Sequence, residues 1–160
     1  MTDKSKTAGI IIVAAVFFII DRLLKRAFFD FWQTADINMI GGWADLRLAT
    51  NPGIAFGLPF GSTAIIILTG LISVMLVYAA LICLRRREWL EFFSLAFVIA
   101  GAFSNLLDRL ASGAVIDYIY VRYFSIFNLA DVMITCGIIA LIAASFWRRR
   151  RRKTPSADLN

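Results

Sequence analysis

The sequence contains no histidine, and its 160 residues include only two cysteines, Cys83 and Cys136. The absence of histidine excludes a serine or cysteine protease with a catalytic histidine, and it also excludes a histidine-based zinc site. A serine–lysine pair would need Lys25, the one lysine outside the N-terminal leader and the C-terminal tail, and no serine lies obviously beside it. We expect no disulfide. Carboxylates are therefore the remaining candidates for acid–base chemistry.

Charged residues are also scarce, at 18% of the chain, whereas 60% is hydrophobic and the mean hydropathy is +0.76. These values predict a membrane protein. Four apolar stretches, at about 8–29, 63–84, 90–110 and 128–147, approach the roughly 20 residues that cross a bilayer as a helix. The first lacks a small-residue cleavage site, so we expect it to stay as an anchor. The sequence predicts an all-α integral membrane protein, with one four-helix domain over residues 1–153 and a tail over 154–160.

The placement of lysine and arginine predicts the orientation of this domain. Of the 17 basic residues, 11 lie before the first predicted span, between the second and third, or after the fourth. Because cytoplasmic loops carry the excess of basic residues, both termini are predicted to be cytoplasmic. The basic run Arg148–Lys153 could bind nucleic acid, but beside a span it is typical of a topology anchor on anionic lipid. We therefore expect membrane lipid, and no nucleic acid, as its partner.

Three of the four predicted spans carry polar residues at their outer ends. These residues are Asp21 and Lys25 in the first span, Asn105, Asp108 and Arg109 in the third, and Asn128 and Asp131 in the fourth. Ionisable groups at membrane depth are costly unless they face a cavity or one another, so this layer is a candidate functional site. A structural alternative remains open: Asp21 with Lys25 and Asp108 with Arg109 could be ion pairs that lock the bundle, and Asn128 could simply cap a helix.

Two outer segments connect the spans. Between about 30 and 61, leucines alternate with charged residues at 45–48, which predicts a half-buried strand, followed by a stretch broken by glycine and proline. The breaking residues are Pro52, Gly53, Gly57, Pro59 and Gly61. Between about 111 and 127 the sequence predicts an outer loop or interfacial helix with Tyr118, Tyr120 and Tyr123 near the headgroups. This loop carries Asp117.

Asp117 and Asp131 differ from the other acidic residues of the polar layer, because neither has an obvious basic neighbour on its own helical face. Two carboxylates that share a proton can activate water with one member while the other protonates a substrate carbonyl, as in aspartic proteases. Asp117 and Asp131 are therefore the candidates for acid–base catalysis, which the absence of histidine does not exclude.

Four motifs resemble, in order, those of the bacterial lipoprotein signal peptidases, also called type II signal peptidases. The motifs are NPGIAFG (51–57), AGAFSNLLDR (100–109), GAVIDY (113–118) and FNLAD (127–131), and DRLLK (21–25) is similar to a fifth. The resemblance implies a membrane-embedded aspartic endopeptidase that removes the signal peptide of a prolipoprotein just before its diacylglyceryl-modified cysteine. It implies a small β-cradle over the active site at about 30–61, no metal or organic cofactor, and the inner bacterial membrane, with the active site near its outer, periplasmic face.

Carried over by position, the resemblance makes Asp117 and Asp131 the catalytic pair. The supporting residues that it implies are Asn51, Gly53, Asn105, Asp108, Arg109, Asn128, Ala130, Asp21 and Lys25. This sequence departs from the family pattern at four places, namely Arg22, Ile54, Ala100 and Ser104. We expect these departures to alter packing around Asn105 and to leave both aspartates in place.

Two other classes of protein remain as alternatives. A small proton-coupled transporter or channel subunit would use Asp117 or Asp131 as its titrating group, but it predicts polar residues down to the inner face, where this sequence is almost wholly apolar. The absence of an internal repeat also weakens that interpretation. A non-enzymatic membrane scaffold would leave both aspartates replaceable. We expect a monomer that acts on diacylglyceryl-modified prolipoproteins.

Overall fold

The computed structural model describes residues 2–30, 37–53 and 62–153. In chain order its elements are α1 (Asp3–Asp30), β1 (Ile37–Ile40), β2 (Ala44–Asn51), α2 (Ser62–Arg85), α3 (Trp89–Ser112), β3 (Val115–Val121), β4 (Ser125–Phe127) and α4 (Leu129–Lys153). Ile54, Gly57, Pro59, Gly61 and the tail 154–160 lie outside the described residues.

Four helices among the described residues are long and apolar enough to cross a membrane. Their spans are Asp3–Asp30, Thr63–Arg85, Trp89–Ser112 and Leu129–Arg148. On α2, Val74, Met75 and Tyr78 each expose more than 65% of their surface. A continuous apolar face of this kind is expected to meet lipid rather than water. The predicted four-helix membrane architecture is confirmed.

Helix α3 lies at the centre of the bundle and contacts each of the other three helices. Its closest approach is to α4, where a Cβ atom on Gly101 would lie 2.5 Å from the carbonyl oxygen of Ala130. Gly113 ends α3 in a left-handed conformation, with φ of 77°, and its N–H donates to the carbonyl oxygen of Arg109. This turn directs the chain from the outer end of α3 into β3.

The four strands form one antiparallel sheet in the order β1-β2-β3-β4. The predicted strand at 45–48 lies within β2, but all four of its residues are half-buried, so the predicted alternation is not found. One reason is that the guanidinium of Arg47 stacks on the ring of Tyr120 at 3.4 Å from the ring centroid, which covers the charged face. The register pairs Ala49 with Asp117, so the sheet holds Asp117 next to the end of β2.

The structure corrects the prediction for residues 111–127. The sequence predicts a loop or interfacial helix there, whereas the structure forms β3 and β4. The β-branched and aromatic residues of this segment instead complete the sheet by pairing with β2. Tyr118, which the sequence places near the headgroups, is only 2% exposed and stacks on Phe28 of α1. Asp117 therefore sits on a paired strand rather than on a loop.

Candidate active site

The candidate site begins at the first turn of α4. Asn128 precedes this helix, and its Oδ1 accepts a hydrogen bond of 2.9 Å from the backbone N–H of Asp131. The carboxylate of Asp131 accepts in return from the backbone N–H of Asn128, at 3.3 Å. This reciprocal pair is a capping box made of asparagine and aspartate. The helix start thus fixes the position of one candidate catalytic carboxylate.

Asn128 also contacts the second candidate carboxylate. Its Nδ2 donates to Asp117 Oδ1 at 2.6 Å and to the carbonyl oxygen of Ile116 at 3.3 Å. Asn128 is fully buried, and Asp117 is 3% exposed. Burial and then the charge of Asp131 raise the pKa of Asp117 to about 6, against the lowering effect of its hydrogen bonds from Asn128 and Asn51. The structure brings Asp117 and Asp131 together around one asparagine.

A cavity of about 490 Å³ opens beside these two carboxylates. Its polar lining consists mainly of Asn51, Asn105, Arg109, Asp117 and Asp131. Apolar residues from β4 and the first two turns of α4, including Phe127, Val132 and Ile134, line the rest. The cavity is therefore polar at one side and apolar along the helix, an arrangement suited to a substrate with a polar backbone and an apolar anchor.

Asn105 connects Asp131 to the interior of the bundle. Its Nδ2 donates to Asp131 Oδ1 at 2.7 Å, and its Oδ1 accepts from Lys25 Nζ at 2.7 Å and from Asn128 Nδ2 at 3.2 Å. These contacts fix which end of the amide faces the carboxylate. Asn105 therefore links α1, α3 and α4 at the level of the aspartates.

Lys25 is fully buried between two aspartates. Its Nζ lies 3.2 Å from Asp21 Oδ2 and 2.7 Å from Asp108 Oδ2. Asp108 also pairs with Arg22 and accepts a hydrogen bond from the backbone N–H of Ile116. Of the two ion pairs left open as a structural alternative, that of Asp108 with Arg109 is not found among the described residues, because the Asp108 carboxylate pairs across the bundle with Arg22 and Lys25 of α1. The expected pair of Asp21 with Lys25 is present.

Asp21 holds the start of α4 and the sheet against α1. Its Oδ1 accepts from the backbone N–H of Ala130 and from the hydroxyl of Tyr118, both at 3.1 Å, and its Oδ2 accepts from Ser104 Oγ at 2.6 Å. Burial and then the charge of Asp21 raise the pKa of Tyr118, so its hydroxyl remains a donor. Ala130 therefore contributes to the site through its backbone.

Arg109 extends the polar layer towards the end of β2. Its Nη2 donates to the carbonyl oxygen of Gly53 at 3.0 Å, and its Nη1 lies 3.5 Å from the carbonyl oxygen of Asn105. Asn51 shapes this turn, because its Oδ1 accepts from the N–H of Gly53 at 3.0 Å while its Nδ2 reaches Asp117 Oδ2 at 3.4 Å. All eleven residues singled out from the sequence thus lie in one connected cluster.

Three further residues of this cluster are not predicted as contributors by the sequence. Tyr118 and Ser104 both donate to Asp21, and Arg22 donates to the carbonyl oxygen of Ser104 at 3.3 Å as well as to Asp108. Two of the departures from the family pattern, Arg22 and Ser104, therefore contact each other and add polar contacts rather than only altering packing. The one available signal is that Arg22 adjoins Asp21 and Ser104 adjoins Asn105 in the sequence.

Comparison with known proteins identifies what this chain is similar to. Residues 13–147 match the family described as Signal peptidase (SPase) II. A lipoprotein signal peptidase of Moorella thermoacetica is 33% identical over 132 residues, which cover 82% of this chain and 88% of the relative. One from Caldicellulosiruptor bescii is 31% identical over 124 residues, covering 78% and 81%. A third, from Rickettsia typhi, is 37% identical over 159 residues, covering 89% and 75%.

Two solved structures described as bacterial membrane enzymes share the fold. One superposes with a TM-score of 0.81 at 25% identity and covers 94% of this chain and 95% of its own length. The other has a TM-score of 0.75 at 27% identity, with coverage of 86% and 92%. The predicted resemblance is confirmed, and nothing in these comparisons favours a transporter. The chain belongs to the signal peptidase II family and is a protease of the bacterial membrane.

Proposed function

We propose that this signal peptidase II is an aspartic endopeptidase whose catalytic pair is Asp117 and Asp131. The observation that carries the proposal is the position of Asn128, whose amide contacts one carboxylate while its backbone N–H contacts the other. A single buried residue thereby holds both carboxyl groups at the edge of the cavity. Such an arrangement suits a pair in which one group is ionised and the other protonated.

The two carboxyl groups have different roles in this proposal. We assign the shared proton to Asp117, because burial and the nearby charge of Asp131 raise its pKa to about 6 and so favour its protonated form relative to a free aspartate. Asp131 is the general base, and it accepts a proton from water as the water oxygen attacks the carbonyl carbon of the scissile bond. Asp117 gives its proton to the carbonyl oxygen. When the tetrahedral intermediate collapses, the C–N bond breaks, the leaving nitrogen takes the proton that Asp131 received, and one hydroxyl of the intermediate returns its proton to Asp117 as the C=O bond re-forms.

The substrates that family membership implies are prolipoproteins. We infer that the lipid-modified form is the true substrate and that cleavage falls just before its diacylglyceryl-modified cysteine. The cavity supports this inference, because its apolar side runs along α4 into the membrane-spanning region while its polar side holds the aspartates. A membrane-anchored precursor could place its signal helix beside α4 and its scissile peptide at the polar end.

We further propose that the aspartates lie near the periplasmic face of the inner membrane, with both termini in the cytoplasm. The support is the excess of basic residues before α1, between α2 and α3, and at the end of α4. One chain supplies both aspartates and the polar residues around them, so a monomer suffices for catalysis in this proposal.

Cleavage of a diacylglyceryl-modified precursor peptide by the purified protein tests the catalytic assignment. Asp117→Asn and Asp131→Asn should each lower turnover by at least about 10²- to 10⁴-fold, because each removes a group that must hold and release a proton. Asp30→Asn is the matched control, since Asp30 is an exposed aspartate at the end of α1 that pairs with Arg26. It should keep normal turnover. Near-normal turnover by either Asp117→Asn or Asp131→Asn, with a cooperative thermal unfolding transition, would overturn the assignment.

A further inference from the structure

A second cavity, of about 430 Å³, lies at the end of the bundle opposite the aspartates. It is formed between the first turns of α1 and the connection from α2 to α3. No group of the proposed catalytic cluster lines it. The residues that line this cavity therefore determine which ligand it can bind.

The polar lining of this cavity is mainly basic. Lys4 comes from α1, Arg85 from the end of α2, and Arg87 from the connection that follows. One lining residue is acidic, Asp3, and its carboxylate already pairs with Arg87 at 2.8 Å. Three cations against one carboxylate leave an excess of two positive charges, which favours an anionic ligand.

The backbone of Arg87 gives an independent reason to assign a role to its side chain. Arg87 has a φ of 57°, the left-handed conformation that favours glycine, and its N–H donates to the carbonyl oxygen of Leu84 in the turn that ends α2. A glycine would form this turn without strain. Strained non-glycine residues persist where their side chains serve a purpose, and this side chain faces the cavity.

The rest of the cavity wall is apolar and lies at the membrane boundary. Ala8 and Ile11 of α1 and Leu84 of α2 continue from the basic residues towards the bilayer interior. Trp89 also lines the cavity, and Lys6 Nζ lies 5.4 Å from the centroid of its ring. Tryptophan and lysine are typical of the headgroup level. A ligand that fits both parts has an anionic head and an apolar tail.

We propose that this cavity binds one anionic phospholipid, with its phosphate among Lys4, Arg85 and Arg87. The acyl chains lie along Ile11 and Leu84. This site is separate from the proposed catalytic function, since it involves none of the same residues. The bound lipid joins α1 to the α2–α3 connection. The Asp3–Arg87 ion pair also links these two segments, but it contributes little because its Arg87 and Asp3 side chains are 73% and 44% exposed to solvent.

Native mass spectrometry of the full chain in detergent tests the proposal, with dioleoylphosphatidylglycerol and dioleoylphosphatidylcholine added in separate titrations. The wild type should bind one phosphatidylglycerol more tightly than phosphatidylcholine. Arg85→Gln should weaken phosphatidylglycerol binding about fivefold, because it removes one of the three cations that surround the phosphate in the proposed site. Arg86→Gln is the matched control, since Arg86 is an exposed neighbour outside the cavity lining, and it should leave the affinity unchanged.

Two further variants separate lipid binding from folding. Arg87→Gly should also bind phosphatidylglycerol about fivefold more weakly than the wild type. In detergent without lipid, it should unfold at the same temperature as the wild type or at a higher one, because glycine relieves the left-handed strain. Asp3→Asn should bind phosphatidylglycerol more tightly, because it removes the competing carboxylate. Equal losses for Arg85→Gln and Arg86→Gln would show diffuse charge attraction and overturn the proposal. Displacement of the lipid by an equal concentration of inorganic phosphate would overturn it as well, because the site would then recognise the free anion.

Discussion

At the scale of single residues, Asn128 does two tasks that are usually divided between different side chains. Its Oδ1 caps α4 by accepting from Asp131 N–H, and its Nδ2 donates to Asp117 and Asn105. An alanine at this position would provide neither the cap nor the hydrogen bonds from Nδ2. The alternative interpretation of Asn128 as a simple helix cap explains only the hydrogen bond to Asp131 N–H. Because one buried side chain makes both sets of contacts, the start of α4 and the position of the Asp117 carboxylate depend on the same residue.

We predict that Asn128→Ala lowers stability and peptidase activity together. Removal of the cap costs about 1 kcal/mol, and leaving buried polar partners unpaired costs about 1–3 kcal/mol. Thermal unfolding in detergent and turnover of a lipidated precursor peptide would measure the two effects. Asn38→Ala is the matched control, because Asn38 is exposed on β1 and its side chain accepts one hydrogen bond, from Gly42 N–H. Equal effects of the two substitutions would contradict the prediction.

The raised pKa of Asp117 predicts how stability depends on pH. Because burial and then Asp131 raise this pKa from 3.8 to about 6, the folded protein keeps a proton between about pH 4 and pH 6 that the unfolded chain releases. The free energy of unfolding must therefore fall as pH rises through this window, by up to about 3 kcal/mol. Asp117→Asn removes the titrating group, so its free energy of unfolding should not show this fall. Its stability relative to the wild type should rise from pH 4 to pH 6 and then level off, whereas a constant difference would contradict the prediction.

The sequence identifies the residues of the site better than it identifies their partners. Asn128 and Asp131 stand out because polar groups at the end of an apolar span are costly, and Asp117 stands out because it has no obvious basic neighbour and lies in a motif. The contacts of Tyr118 and Ser104 with Asp21 join residues 97 and 83 positions apart in the chain. No local pattern encodes such a contact. The choice between a pairing of Asp108 with Arg109 and other partners stays open in the sequence for the same reason, since adjacency along a helix says little about which neighbour a carboxylate faces across the bundle.

At the scale of secondary structure elements, the close contact of α3 with α4 positions Asp131. Gly101 lies against the Ala130 carbonyl oxygen, and Gly137 lies against the Val98 side chain, so two glycines allow the helices to approach along their length. Small residues at helix contacts are common in membrane bundles for this reason. A wider separation would move the first turn of α4 away from Asn105.

We predict that Gly101→Ala lowers both stability and activity, because the new Cβ would lie 2.5 Å from a backbone oxygen and 2.9 Å from Ile134 Cγ1. Overpacking of this kind costs about 1–3 kcal/mol. Gly70→Ala is the control, since a Cβ at this position of α2 meets nothing within 4 Å. Thermal unfolding and peptide turnover of both variants would test the prediction. It would be wrong if both variants behaved like the wild type.

The helices are easier to predict than the sheet. Each membrane helix forms its backbone hydrogen bonds internally, so length and hydropathy identify it without knowledge of its neighbours. Strand β3 depends on pairing with β2, more than 60 residues earlier in the chain, and β4 in turn pairs with β3. An isolated segment rich in aromatic residues fits an interfacial loop equally well. The sequence therefore places the segment correctly between the third and fourth spans while giving it the wrong local structure.

At the scale of the whole molecule, the two ends of the bundle carry different sets of polar residues. Buried carboxylates, amides and Lys25 form a network at the sheet end. The other end carries basic residues around the second cavity, and Arg148 of α4 pairs with Glu88 and Glu91 at the start of α3. The apolar belt between the two ends fits the hydrocarbon core. In the proposed mechanism, catalysis is thus confined to the end of the bundle that carries the aspartates, which limits the substrates that can reach it.

This confinement predicts that the lipid on the substrate controls the rate. A precursor anchored by two acyl chains stays in the bilayer, because each buried methylene contributes about 0.8 kcal/mol, and anchoring holds the scissile bond at the level of Asp117 and Asp131. We expect a precursor without the diacylglyceryl group to be cleaved at least about 10-fold more slowly, even with an intact signal helix. Initial rates for the two forms, measured in one nanodisc preparation below saturation, would test this. If the rates were equal, the enzyme would recognise the signal helix alone, and the inference that lipid modification defines the substrate would fail while the aspartic mechanism could still stand.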